Sequence, residues 1–475
     1  IFYSTVTPWQ SSGGVQVMLG NYLHNSDIQY MGQVAPVQLP AELDGYNIRR
    51  GFWETSDLMY RFSLQVMARK IAHLKSNPLP PAEAAVPDMQ QLPAVTKMVE
   101  RPRPFEVDLA ALEGMVKELS ALFKDYKELF NSNVMLVAVE QDNFRLTSEN
   151  VRLKFPLGLV GLTVSASVRT TDGSTVSDVL AISSLENPAD LPSLEELKKK
   201  VTDFADNLME LKETPMIEEY YTGPVLFEEG AASRLFTDNL LSPGRLLALR
   251  TMAPARGMLD EQLGRKIMDS RLTVKNYTML VEYDGTPLFG HYEIDGDGVV
   301  PAAELTLVEN GVFKRMLNGR VPTLKAPEST GSARFMISPD NPVAIVSPGT
   351  IHVQTSKSVA PEKLKKALLK AAKEADLEYA YIVRRIGGEA SAVYKVNVKD
   401  GKETRVRVNN LSAPELTKLM DLKGISSDER VMNYFPNGVP ASLIYPSAII
   451  VGDVEINRTT PKIEEVPVLK HPLQR

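Results

Sequence analysis

From residue 13 to residue 37 apolar and polar positions alternate around Asn25–Asp27, which predicts paired strands. A helix follows, with Ser56 as a candidate N-cap and Tyr60, Leu64, Met67, Ile71 and Leu74 on one stripe. Between Asn77 and Pro104 seven prolines interrupt any periodicity. Proline supplies no ladder donor and disfavours helix in the residue before it, so this stretch reads as an extended, surface-hugging connector. Asp108 then caps a helix whose Leu109, Leu112, Val116, Leu119, Phe123, Tyr126 and Phe130 face one way.

Val134 to Ser184 reads as a strand-rich meander with a tight Asp172–Gly173 turn. Ser193 and Glu196 form a capping box for the next helix, whose stripe is Leu197, Val201, Phe204, Leu208 and Leu211. Each helical stripe spans only a few turns, which predicts intramolecular core and not a coiled-coil seam. After Tyr220 short strand-like runs dominate, at 223–227, 271–283, 302–309, 343–355, 379–386, 391–398, 403–409 and 447–456. Brief helices are expected at 231–241, 361–375 and 412–420, with a boundary near Thr214–Glu219. The fold class is α+β. Residues 1–215, with the proline-rich connector 77–104, form an N-terminal domain of long helices on an antiparallel sheet, and 220–475 a mainly-β domain with short helices.

Composition narrows the chemistry. The 475 residues, 43% hydrophobic and 24% charged, suffice for a large core without staples. A net charge of −6 argues against a general nucleic-acid binder. No apolar run approaches the ~20 residues that span a bilayer. The absence of cysteine removes disulfides, thiolate zinc sites and thiol nucleophiles. The five histidines (His24, His73, His291, His352 and His471) never fall at helical ligand spacing, so no local zinc motif can be written.

Several separated stations carry short motifs in a definite order along the chain. They are the helix entry Trp53-Glu54-Thr55-Ser56-Asp57-Leu58-Met59-Tyr60, the run Gly223-Pro224-Val225-Leu226-Phe227-Glu228 closing on Ala231-Ala232, and the acidic turn Tyr292-Glu293-Ile294-Asp295-Gly296-Asp297-Gly298-Val299. Leu307-Val308-Glu309-Asn310-Gly311-Val312, Ser329-Thr330-Gly331-Ser332-Ala333-Arg334 and Tyr445-Pro446-Ser447-Ala448-Ile449-Ile450-Val451 complete the set. Together, and in this order, these stations resemble the TldD/PmbA family, also known as peptidase U62 or modulator-of-DNA-gyrase proteins, with the fourth residue of that family's Ser-Thr-Gly-Asn-type signature replaced by Ser332.

The resemblance implies a peptidase-like protein. Active members bind zinc through HExxxH on the helix after the Gly-Pro-Val-Leu strand, whereas alignment on Ala231-Ala232 puts Thr237, Asp238 and Ser242 at those places. Thr and Ser are poor zinc ligands, and the family's further cysteine ligand has no counterpart here. The pattern is similar to the PmbA (TldE) branch, which keeps the fold without the metal. It implies no catalytic residue and no cofactor in this chain, with zinc only in a partner subunit. It further implies a homodimer or a heterodimer with an HExxxH-bearing relative, and a groove for unfolded peptide with Gly223, Glu228, Ser329, Thr330, Gly331 and Arg334 as candidate lining. The alternative is a homodimeric peptide-binding or scaffold protein without proteolytic activity. Strand edges within 220–456 are the expected dimer material. The family default for compartment is cytoplasmic, while a chain starting at Ile1 without cysteine leaves export open.

Four patterns invite other readings. Glu293, Asp295, Asp297, Gly298 and Glu304 have EF-hand-like spacing, but strand-like flanks predict a solvated hairpin turn. His291 and His352, without a nearby carboxylate cluster, read as surface or satisfied core histidines. Ser329 and Ser332 beside Lys325 suggest a serine–lysine nucleophile, against which stands a turn held by side-chain to backbone bonds. Lys198-Lys199-Lys200 is the wet face of the capped helix.

Overall fold

The computed structural model describes residues 12–27, 34–38, 44–101, 103–185, 187–251, 258–336, 344–408 and 411–457. Six α-helices occur among them: α1 (Gly45–Ser76), α2 (Pro81–Ala84), α3 (Leu109–Ala121), α4 (Leu194–Glu213), α5 (Glu229–Leu240) and α6 (Pro361–Glu374). The architecture is α+β, as expected.

α1 starts eleven residues before the expected cap Ser56. Asp44 is the N-cap and accepts from the backbone N–H of Tyr46 and Asn47. Ser56 lies inside the helix, where its hydroxyl donates to the Phe52 carbonyl at 2.6 Å. The predicted paired strands are short, Ser12–Val15 against Ala35–Gln38, and their Val15 and Val37 pack on Met59. The buried line of α1 is Met59, Ser63, Val66 and Lys70. The predicted stripe is a different one, and it is open: Tyr60, Leu64 and Ile71 are each 45–50% exposed. The helix docks through a narrower face than its apolar periodicity suggests.

The connector is not featureless, because it contains α2 and a strand, Val95–Met98. α3 is capped by Asp108 as read, but α-helix ends at Ala121 and Phe130 belongs to the strand Leu129–Leu146. That strand pairs antiparallel with Val151–Arg169, which in turn pairs with Thr175–Leu185 across the Asp172–Gly173 turn. Val95–Met98 runs parallel to the first residues of the same central strand, Val151–Lys154, on the edge that Thr175–Leu185 occupies further along. Leu162, Val164, Ala166 and Val168 bury one sheet face against α3 and α4. The whole α4 stripe from Leu197 to Leu211 is buried, and its capping box is complete.

The C-terminal half contains two six-stranded sheets. One runs, in spatial order, Glu403–Val406, Ala392–Asn397, Tyr379–Arg385, Tyr221–Glu228, Ala448–Ile456 and Leu422–Ile425; the other runs Val312–Phe313, Glu304–Glu309, Leu272–Tyr277, Thr350–Thr355, Ala441–Pro446 and Glu429–Tyr434. The expected helix at 412–420 is only a 3₁₀ turn, Leu416–Met420. Strand alternation assigns the faces: Val225 and Phe227 join α5 and the second sheet in one core, while Leu226 meets α6 on the opposite side. α5 is therefore held between the two sheets, with Ala231, Ala232, Leu235, Phe236 and Leu240 buried.

Candidate functional site

The strand Tyr221–Glu228 passes into α5 without a loop, and the turn is made at Glu229, which has φ +51°. A non-glycine residue in that region is strained and is held here by a hydrogen bond from its N–H to the Ser447 carbonyl at 2.9 Å. Gly223 permits a close approach within the strand, since a Cβ there would lie 2.5 Å from Leu377 Cδ1. Glu228 points to the α6 side. Its Oε2 lies 3.1 Å from Arg384 Nε, and Arg384 reaches Glu403 at 2.9 Å, which also pairs with Lys365 of α6 at 2.6 Å. Burial pushes the Glu228 carboxyl up despite Arg384.

The residues at the presumed metal positions lie at the far end of α5. Thr237 is half-buried and donates to Asp238 Oδ1 at 3.1 Å. Asp238 is exposed and pairs with Arg234 one turn earlier, at 3.0 Å. Ser242 lies beyond the last helical residue, Leu240, in the turn that follows.

The Ser329–Arg334 segment is organised around the acidic turn. Asp295 accepts the N–H groups of Asp297, Val299 and Ala333 at 3.0, 2.8 and 3.0 Å. Burial, reinforced by the neighbouring Asp297 charge, raises its carboxyl to about 7, against the pull of those donors. Asp297 contacts Arg145 at 3.4 Å, and Glu293 and Glu304 leave the turn to pair with Lys97 and Lys275. The EF-hand spacing therefore does not converge. Thr330 Oγ1 accepts from Asn318 N–H at 2.7 Å, and Tyr292 donates to the Gly331 carbonyl at 2.8 Å. Arg334 is buried, donates to the carbonyls of Pro348 and Pro440, and stacks 4.1 Å over the Tyr292 ring. Ser332 is fully buried beside Thr330, while Lys325 is exposed.

Of this segment, Ser329 reaches an open cleft. Its N–H donates to Gln90 of the connector at 2.9 Å, and both line a cavity of about 490 Å³ with Tyr22, Met89, Leu92 and Glu328. Arg320 braces the cleft by a two-pronged pair with Glu149 at 2.8 and 2.9 Å, and Glu149 also accepts from Tyr22 at 2.6 Å. A second cleft, of about 390 Å³, lies along Val95–Lys97 and is bordered by Met279, His291 and Val300. Val95–Met98 is an edge strand whose other side pairs with Val151–Lys154. Around this edge Met98, Met279 and Val300 are 48%, 37% and 68% exposed. The candidate lining thus separates into two places, Gly223 and Glu228 on the first sheet and Ser329–Arg334 by the connector, with the degenerate metal positions at a third, the far end of α5.

The histidine reading missed a partner. His352 Nε2 lies 3.0 Å from both carboxylate oxygens of Glu429, which also accepts from Tyr283. The sequence separation of 77 residues hid this carboxylate.

Residues 221–458, half of the chain, match the family profile described as the PmbA/TldA metallopeptidase C-terminal domain. The chain belongs to the PmbA/TldD family. Among solved structures it resembles TldE from Thermococcus kodakarensis, at 15% identity over 83% of this chain and 84% of that one, with a TM-score of 0.51. It also resembles a candidate modulator of a DNA gyrase from Thermotoga maritima, at 15% identity over 91% and 87% of the two chains, with a TM-score of 0.52. At this identity the likeness is one of fold. No curated protein sequence matches.

The metallopeptidase description raises the question of zinc. A catalytic zinc site needs three ligands of His, carboxylate or thiolate type around one open position. In α5 a hydroxyl, a carboxylate already paired with a guanidinium and a hydroxyl outside the helix do not fit that requirement. Among the described residues no three of His, Asp or Glu are grouped to hold a metal ion.

Proposed function

We propose that this PmbA/TldD protein is a zinc-less subunit that binds unfolded peptide and acts in proteolysis or peptide maturation beside an HExxxH-bearing relative. The observation that carries the reading is the Val95–Met98 edge strand beside a cleft bordered by exposed Met279 and Val300. An extended peptide adds to such an edge through main-chain hydrogen bonds, and apolar side chains beside it hold alternate residues. The donor set on α5, which does not fit zinc, supports a hydrolytic step carried by the partner. The chain supplies binding and orientation, and the relative supplies the activated water.

Fluorescence anisotropy with a labelled, unstructured peptide tests the binding step. Saturable binding is expected, and Val300→Glu should weaken it about tenfold or more, as the loss of ~1.4 kcal/mol does. Cleavage should appear only when an HExxxH relative is added. Peptide binding unaffected by Val300→Glu, or cleavage by this chain alone, overturns the reading.

A further inference from the structure

The two clefts adjoin, and one extended peptide can reach both. Leu92 lines the larger cleft and Val95 the smaller, and the consecutive residues Val299 and Val300 divide between them. The ladder fixes which backbone groups are open. The Val99 N–H donates to the Lys154 carbonyl at 3.1 Å, so the odd-numbered residues face Val151–Lys154. Thr96 and Met98 therefore turn their N–H and C=O groups to the free edge. A peptide paired there and running back past Val95 passes Leu92 about four residues on, at ~3.3 Å per residue. It then enters the larger cleft.

The lining of that cleft has a definite chemical bias. Among the described residues Glu328 is its one charged member; it is exposed, and its carboxylate has no hydrogen bond or ion pair with them. Tyr22 gives its hydroxyl proton to Glu149 at 2.6 Å, so towards the cleft the phenol oxygen can only accept. The nearby Arg320 charge is matched by the same Glu149. Met89, Leu92 and Val299 supply apolar wall. A long alkyl stem that ends in a positive charge with several N–H donors satisfies all of these at once, and the Tyr22 ring offers it an aromatic face. A carboxylate would be repelled by Glu328. We propose that the larger cleft is a subsite for a lysine or arginine side chain of the bound peptide, with Glu328 as the residue that selects it. The inference rests on the peptide-binding reading above and adds a substrate class to it. That class is extended chains with a basic residue about four positions from the segment paired at Val95–Met98.

Competition against the labelled peptide tests this. In ~0.15 M salt the Debye length is about 8 Å, which keeps the overall charge of the chain from setting the order. The competitors are capped at both ends, so that a side chain is their only charge. They share one apolar segment and differ at a single position about four residues to its amino or its carboxyl side, with lysine in one and glutamine in the other. In one of the two placements the lysine peptide should compete about fivefold better, the upper range for one solvent-accessible ion pair. Glu328→Gln should bring that ratio to about one, and Glu328→Lys should invert it. Equal competition by lysine and glutamine peptides in both placements, or a lysine preference that survives Glu328→Gln, overturns the proposal. In those cases binding that still responds to Val300→Glu leaves the peptide-binding reading standing. A failure of every peptide to bind overturns both.

Discussion

The ammonium of Lys70 lies 2.6 Å from Asp88 Oδ2, with 3% and 4% of the two side chains exposed. Lys70 also donates to the Asp27 carbonyl at 2.8 Å, and Asp88 accepts from Asn25 N–H at 2.8 Å and approaches Arg250 at 3.4 Å. One ion pair thus fastens α1 to the connector and to the C-terminal half. Removing one member leaves the other charged and buried, at a cost of about 3–5 kcal/mol. Lys70→Met should fall at the low end, because Arg250 still faces the carboxylate. Urea unfolding measures it, and a change under about 1 kcal/mol would mean that the pair is not buried in solution.

Gly331 has φ +70°, and a Cβ on it would come 2.9 Å from Pro301 Cα. The obstacle is backbone, which cannot swing aside as a side-chain tip does. Gly331→Ala should therefore destabilise by about 1–3 kcal/mol through strain at one residue. It should also loosen the turn that holds Ser329 in the cleft. Thermal unfolding reads the first effect, and amide hydrogen exchange of the Ser329 N–H, which donates to Gln90, reads the second.

Asp269 has a definite pH signature. Burial would raise its carboxyl, but the Arg271 guanidinium at 2.8 Å and the N–H groups of Arg271 and Leu422 outweigh it and bring it down to about 2. A carboxylate whose folded value is depressed contributes stability above its unfolded value of 3.8, and loses it as pH falls towards 2. The contribution is on the order of 1–2 kcal/mol. Between pH 4 and pH 2 the midpoint of urea unfolding should drop less in Asp269→Asn than in the native protein. Equal slopes would show that the Arg271 contact does not persist.

Local signals were legible and non-local ones were not. The Ser193–Glu196 capping box and the stripe from Leu197 to Leu211 could be read directly, because cap and periodicity involve only near neighbours. Leu119, Phe123, Tyr126 and Phe130 also have helical spacing, yet Phe130 pairs with Ser167 in a sheet. That long-range ladder overrides the local pattern. The strands Leu422–Ile425, Glu429–Tyr434 and Ala441–Pro446 went unread for the same reason, and with them the His352–Glu429 contact. In α1 the period was legible but not what lies against it, since periodicity marks an apolar face without naming its cover. The edge strand Val95–Met98 was concealed by the prolines around it, which made the whole connector look irregular.

The end of α5 gives a prediction about metal. In an HExxxH motif the two histidines stand five positions apart, so the backbone between them must bring both to one ion. Here the helix stops at Leu240, where the Leu241 N–H closes on the Thr237 carbonyl, and Ser242 lies in the next turn. The triple substitution T237H/D238E/S242H would restore the residue types and their spacing in sequence without restoring the backbone that presents them, and it would alter the Arg234–Asp238 pair. Isothermal titration should show zinc binding to the triple variant no tighter than micromolar, far short of a structural site. In the native protein a chelator should leave the melting temperature unchanged, since only a ligand bound to the folded state raises it. Nanomolar zinc binding by the triple variant would require α5 to extend past Leu240, and a chelator-induced drop in the native protein would place a metal elsewhere in the chain.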